Sequence, residues 1–300
     1  MLPTHPLLCT ARLFGVAPFC FTKCKAGLRF SCSRRWCFYS IILNVFFLVL
    51  MIKSAICAID FTGDAVGTVT GVVRMGSTYI IHTLTLCNKQ SLRKVLNMLY
   101  CKDIADDPFI IIAFLVQILV YLGIGLVCGL TYNWFLTRQE SLAQYTIGYM
   151  ASMWLGVSLN MFFIQLVLIL CHHLSCVKNE VENYRFGSNF DTTQSILSVL
   201  LLKEVHHRFL LLDGIRKTLE RVFGVQILLF ILDNFLQTSS GLFHLFFLED
   251  TTLLVLALLN CVARISVVSL IFTSCGKCSF KVSAILVSLC YYCEVSCEMI

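Results

Sequence analysis

The chain reads as an all-α, polytopic helical membrane protein, and three observations carry that expectation. Of its 300 residues, 58% are hydrophobic and 13% are charged, against about 45–50% and about 25% in average globular chains. The charges gather in a few short stretches separated by long runs almost free of them. The basic stretches also alternate along the chain, as loops between membrane spans do. With 23 basic and 17 acidic residues, a soluble fold of this size would lack ionisable surface. High apolar content with 16 Gly and 4 Pro excludes disorder and collagen.

A helix rises about 1.5 Å per residue, so roughly 20 apolar residues cross a hydrocarbon core of about 30 Å. Six segments meet this requirement. Residues 109–130 and 147–170 carry no charge at all. Segments 223–247 and 253–272 carry one each, Asp233 and Arg264, and 39–59 has Lys53 near its end. Segment 63–86 is rich in Thr and Gly, with Arg74 near its middle. It is counted as the second span because without it the basic loops lose their alternation.

Lys and Arg then set the orientation. Six precede residue 39 (Arg12, Lys23, Lys25, Arg29, Arg34 and Arg35), and four follow the second span (Lys89, Arg93, Lys94 and Lys102). Seven lie within 172–222, and Lys277 and Lys281 follow the sixth span. The opposite loops hold only Arg138. The positive-inside rule therefore places the N-terminus in the cytoplasm. Residues 1–21 lack a basic start, and Arg12 and Pro18 interrupt their apolar stretch, so the first span is expected to act as the anchor. The basic stretches read as loops, so no nucleic-acid partner is expected.

Residues 172–222 read as a cytoplasmic helical segment. Val205, Phe209, Leu212, Leu219 and Phe223 recur at helical spacing, with Glu204, His206, Arg208, Lys217 and Glu220 between them. Such a seam extends the fifth span below the membrane and packs on neighbours. Residues 282–300 read as a short, apolar, Cys-rich tail. As a helix, 282–295 would reach about 21 Å, short of a full crossing.

No catalytic constellation is visible. His172–His173 and His206–His207 are adjacent, so their side chains diverge on a helix, whereas a helical metal site needs spacings of three or four. Gly-rich phosphate loops, His-Glu-x-x-His and Gly-x-Ser-x-Gly are absent from the sequence. Cys275-x-x-Cys278 and Cys290-x-x-Cys293 have ligand-like spacing, but 17 cysteines make such pairs common by chance. No metal, no cofactor and no enzymatic activity are expected.

Charges inside spans say more, because an uncompensated one is costly in hydrocarbon. Asp233 lies 17 residues before Asp250, and Arg264 lies 14 after it. An antiparallel hairpin would bring their depths to within about 5 Å, so a structural ion pair between them is expected. Gly63, Gly67 and Gly71 give the second span a smooth face. Close helix packing is the plain reading. The sharper one is the wall of a ligand cavity, with Arg74 one turn deeper and Tyr121, Tyr149, Met153 and Trp154 completing it. Interfacial aromatic belting accounts equally well for Tyr149 and its neighbours Tyr132 and Trp134.

The chain resembles the insect gustatory receptor family, part of the insect chemoreceptor superfamily. The likeness lies in the opening from Pro6 to Phe19, and in the stretch that holds His207, Arg208, Phe209, Leu212, Phe223 and Thr238-Ser-Ser. The sixth span followed by Cys275 fits as well. The resemblance implies a cytoplasmic N-terminus, a plasma-membrane location and a ligand-gated cation channel. It further implies a homo- or heterotetramer whose subunits each bind a small-molecule tastant. The family's seventh, pore-lining helix carries a Thr-Tyr…Gln-Phe signature that is missing here, so the chain is expected to be C-terminally shortened and non-conducting on its own. A small secondary transporter, using Arg74, Asp233 and Arg264 at a substrate or proton site, is the main alternative. A thiol-dependent membrane enzyme is a weaker third.

Overall fold

The computed structural model describes residues 11–12, 15, 17–24, 27–61, 65–100, 115, 119, 123, 140–186, 192–245 and 251–298. Among these, six helices follow a short hairpin. The hairpin pairs β1 (Phe19–Cys24) with β2 (Gly27–Cys32) antiparallel, Phe19 facing Cys32 and Cys24 facing Gly27. The helices are α1 (Arg34–Phe61), α2 (Ala65–Cys87), α3 (Lys89–Leu99), α4 (Glu140–Phe186), α5 (Thr192–Leu245) and α6 (Thr251–Glu298).

The hairpin corrects the strictly all-α expectation. Its strands are six residues each, too short for a period-two pattern to stand out from an apolar background. Phe19 and Phe30 turn inward and are buried. Asn97 of α3 clamps the second strand: its Oδ1 accepts from the Phe30 N–H at 2.6 Å, and its Nδ2 donates to the Phe30 carbonyl at 3.1 Å.

Helix α4 is the axis of the bundle. Nearly all of its apolar stretch is buried, 94%, against 22% for that of α1. It packs against α1, α2, α5 and α6. A helix apolar on every face has no solvent side to offer and belongs in the middle. Leu155, Leu166, Ile169, Leu170 and Leu174 form this interior column.

Among the described residues, three helices have stretches long and apolar enough to cross a membrane: Arg34–Lys53, Met150–Glu182 and Ala257–Cys290. They overlap the first, fourth and sixth expected spans. The second and fifth overlap α2 and the end of α5. The third, 109–130, falls outside the described residues except at Leu115, Leu119 and Gly123, where the chain is helical.

Helices α4, α5 and α6 number 47, 54 and 48 residues, or about 70–80 Å each, far beyond a core of about 30 Å. The segment 172–222 is thus shared by two helices, the end of α4 and the first part of α5. Residues 282–298 form the end of α6, since all four prolines lie before residue 109 and nothing later stops the helix.

Beyond residues 147–170, 223–247 and 253–272, these helices form a second packing layer. Val205, Phe209, Leu212, Ile215, Leu219 and Phe223 make a buried seam on α5. Arg208 of α5 reaches Glu180 of α4 at 3.3 Å, and the His173 Nε2 lies 2.9 Å from the Leu99 carbonyl. Lys281 of α6 donates to the Cys171 carbonyl of α4 at 3.1 Å. Burial pushes the Asp213 carboxyl up, but hydrogen bonds from Lys217 and Arg216 outweigh it and hold the group below the usual carboxylate range.

Candidate ligand site in the helix bundle

Helix α2 is amphipathic in reverse. Arg74, Ser77, Thr78, His82 and Thr85 fall on one face of the helix and are all buried. Val69, Val72, Val73 and Ile80 are exposed. In water this arrangement would lose both polar solvation and apolar burial. In a bilayer it is favourable, because the apolar face meets lipid and the polar face finds partners inside the bundle.

The same inversion holds on the neighbouring helices. On α5, Gln226, Asp233 and Asn234 are buried while Val225, Leu228, Leu232 and Phe235 are exposed. On α6, Arg264 is buried between exposed Leu258, Val262 and Ile265. Four polar residues of the central helix, Ser152, Ser158, Asn160 and Gln165, lie in the same interior. The Ser158 hydroxyl donates to the Trp154 carbonyl at 2.7 Å, and the Asn160 amide to the Gly156 carbonyl at 2.6 Å, so each satisfies itself on its own helix.

Charge is compensated across three helices. The Asp233 carboxylate interacts electrostatically with Arg74 first and with Arg264 second, and accepts a hydrogen bond from the Gln237 side chain. Asp233, Arg74 and Arg264 are at most 5% exposed. Asp233 thus lies within electrostatic reach of Arg264, its expected partner, and of Arg74 as well. One helical turn further along α2, the Thr78 hydroxyl comes within 3.9 Å of where a side chain at Gly156 of α4 would begin. Thr85 Oγ1 lies 3.3 Å from Gln226 Oε1, tying α2 to α5.

The other expected site residues fall as follows. Gly71 is buried on α2, and Gly67 lies one turn earlier on that helix. Met153 is buried and Trp154 half-buried on α4, and Tyr149 lies on the same helix. Tyr121 is outside the described residues. Sequence reasoning missed Ser77, Thr78, Thr85, Gln226 and Gln237 as members of this interior. The signal was available, since polar residues at helical spacing inside an apolar run mark the protected face of a membrane helix.

Among the described residues no group of three or more His, Cys, Asp or Glu is arranged to hold a metal ion. Cys278 and Cys171 meet side chain to side chain between α6 and α4 as free thiols.

Buried polar and exposed apolar faces on α2, α5 and α6, with three helices among the described residues long and apolar enough to cross a bilayer, define a helical membrane protein. A family model described as 7tm chemosensory receptor matches residues 4–295, and the chain belongs to that family. No curated protein shows a significant match to it.

Proposed function

We infer that the chain is a gustatory-type chemoreceptor subunit of the plasma membrane, contributing to a ligand-gated cation channel that responds to a small-molecule tastant. The family match over 4–295 carries the receptor reading. The buried polar interior supports a ligand-sized recognition surface there, because a water-poor site turns a few placed polar groups into strong discriminators. The pocket we assign is lined by Gly67, Gly71 and Arg74 of α2, Tyr149, Met153 and Trp154 of α4, and Tyr121. The N-terminus is cytoplasmic, and the functional unit is a homo- or heterotetramer with other receptor subunits. Asp233 and Arg264, with Arg74, set the spacing of α2, α5 and α6 around the pocket.

Expression in cells, alone and together with other family subunits, tests this reading against a tastant panel. A reproducible ligand-evoked cation current is expected from the co-expressed subunits. Trp154→Ala should shift the half-maximal ligand concentration several-fold at unchanged surface expression. Saturable solute accumulation without ligand-evoked current would replace the receptor reading with that of a secondary transporter, for which the same buried charges would serve as substrate or proton sites.

A further inference from the structure

A cavity lies away from the bundle interior, where the hairpin ends and where α1 and α3 begin. It measures about 390 Å³, within the range of about 300–1,000 Å³ usual for small-ligand pockets. Three cations line it: Arg34, the first residue of α1, and Lys89 and Arg93, one turn apart at the start of α3. No carboxylate is among its lining residues. None of the ion pairs between Lys178 and Glu220 engages these three cations.

The first turn of α3 adds partial positive charge. Gln90 lines the cavity, and Asn88, the preceding residue, gives α3 no side-chain cap. Its amide donates back to the Leu84 carbonyl instead, at 3.1 Å. A helix start without a side-chain cap favours anions, and this one lies beside three full charges.

The opposite wall is apolar and leads outward. Phe38 and Ile41 line the cavity. They begin an exposed stripe on α1 that continues through Val45, Val49, Ile52 and Ile56 at spacings of three and four. Arg34 and Ile41 are seven residues apart, about 10 Å along the helix. The polar interface of one leaflet is roughly 5–8 Å deep, so a molecule held by Arg34 at its head reaches hydrocarbon depth by Ile41. A free anion would use only the basic floor. An amphiphile with an anionic head uses both walls.

We propose that the cleft between the starts of α1 and α3 binds the phosphate headgroup of an anionic phospholipid, with its acyl chains along the Phe38–Ile56 face of α1. Juxtamembrane clusters of Lys and Arg attract anionic lipids. Here the cations are gathered into a defined cavity, which gives a site as well as a surface attraction. Occupancy would link the hairpin, α1 and α3, and so tie the N-terminal segment to the lipid composition of the membrane.

The test uses the purified full chain in neutral detergent, with native mass spectrometry as the readout. The probes are dioctanoyl phosphatidylinositol 4,5-bisphosphate, dioctanoyl phosphatidylcholine and soluble inositol 1,4,5-trisphosphate. The anionic lipid should bind at least tenfold more tightly than phosphatidylcholine. Arg34→Gln should weaken it about fivefold, and the triple change Arg34→Gln, Lys89→Gln and Arg93→Gln should remove the preference. Ile41→Gln should weaken the lipid while leaving inositol trisphosphate unaffected. Because Arg34 is exposed, its single variant decides the matter even if the triple variant fails to fold. Equal affinity for both lipids, or no effect of Arg34→Gln, would overturn the proposal. Inositol trisphosphate binding as tightly as the lipid, with Ile41→Gln silent, would reassign the cavity to a soluble polyphosphate. No tastant or current enters this measurement, so its outcome is independent of the receptor reading.

Discussion

Asp233 is the residue on which the buried electrostatics turn. It is the carboxylate facing both Arg74 and Arg264, each drawn from a different helix. Removing it leaves two guanidinium groups facing each other without the anion between them. Removing either Arg leaves an ion pair. Breaking a buried pair costs on the order of 3 kcal/mol, so the three changes should rank unequally. Asp233→Leu is expected to reduce monodisperse yield on size-exclusion chromatography more than Arg264→Leu or Arg74→Leu. Combining Asp233→Leu with Arg264→Leu should recover part of the loss, since one repelling cation is gone. Strictly additive losses would show that the triad is not energetically coupled.

Among the elements, the crossing of α5 and α6 depends on one small residue. A side chain begun at Gly241 would come within 3.1 Å of the Cys261 sulfur, closer than atoms normally pack. Cys261 is itself buried, so it has little room to yield. Membrane helices pack most closely where small residues let their surfaces meet. Gly241→Ala should therefore cost about 1–3 kcal/mol by overpacking, read as a lowered thermal midpoint. The same change in a Cys261→Ala background should cost much less, because the obstructing sulfur is absent. An equal cost in both backgrounds would mean that the helices part readily at this point. The hairpin makes a complementary case: two backbone bonds from one Asn97 side chain hold β2 against α3.

For the molecule as a whole, sidedness is the decisive property. The basic residues cluster at the hairpin, the α1 start, α3 and the long helical extensions. Those same regions pack together through contacts of α3 with β2, α4 and α5. Charge distribution and packing thus gather one set of polar segments at one end of the bundle. An epitope at the N-terminus should stain only after permeabilisation, whereas one inserted beside Asp250 should label intact cells. Surface labelling of the N-terminal tag without permeabilisation would invert the orientation and move the proposed lipid site to the opposite leaflet.

The membrane class, the helical architecture and the helical seam on α5 were legible in the chain itself. Each rests on composition or periodicity, which are properties of residues in order. Arg74, Asp233 and Arg264 were legible as buried charges for the same reason, because an ionisable residue inside an apolar run must find a partner. That Arg74 joins Asp233 and Arg264 was not legible, since Arg74 lies more than 150 residues from Asp233. Their meeting depends on how α2 packs against α5, and helix crossings follow from the fit of whole surfaces. Helix ends were equally hidden: with no proline after residue 108, the sequence carries no sharp stop for α4, α5 or α6. The hairpin, the central position of α4 and the cavity between α1 and α3 emerged only in three dimensions. They are made by contacts between distant segments, and no local pattern encodes which distant segment will arrive.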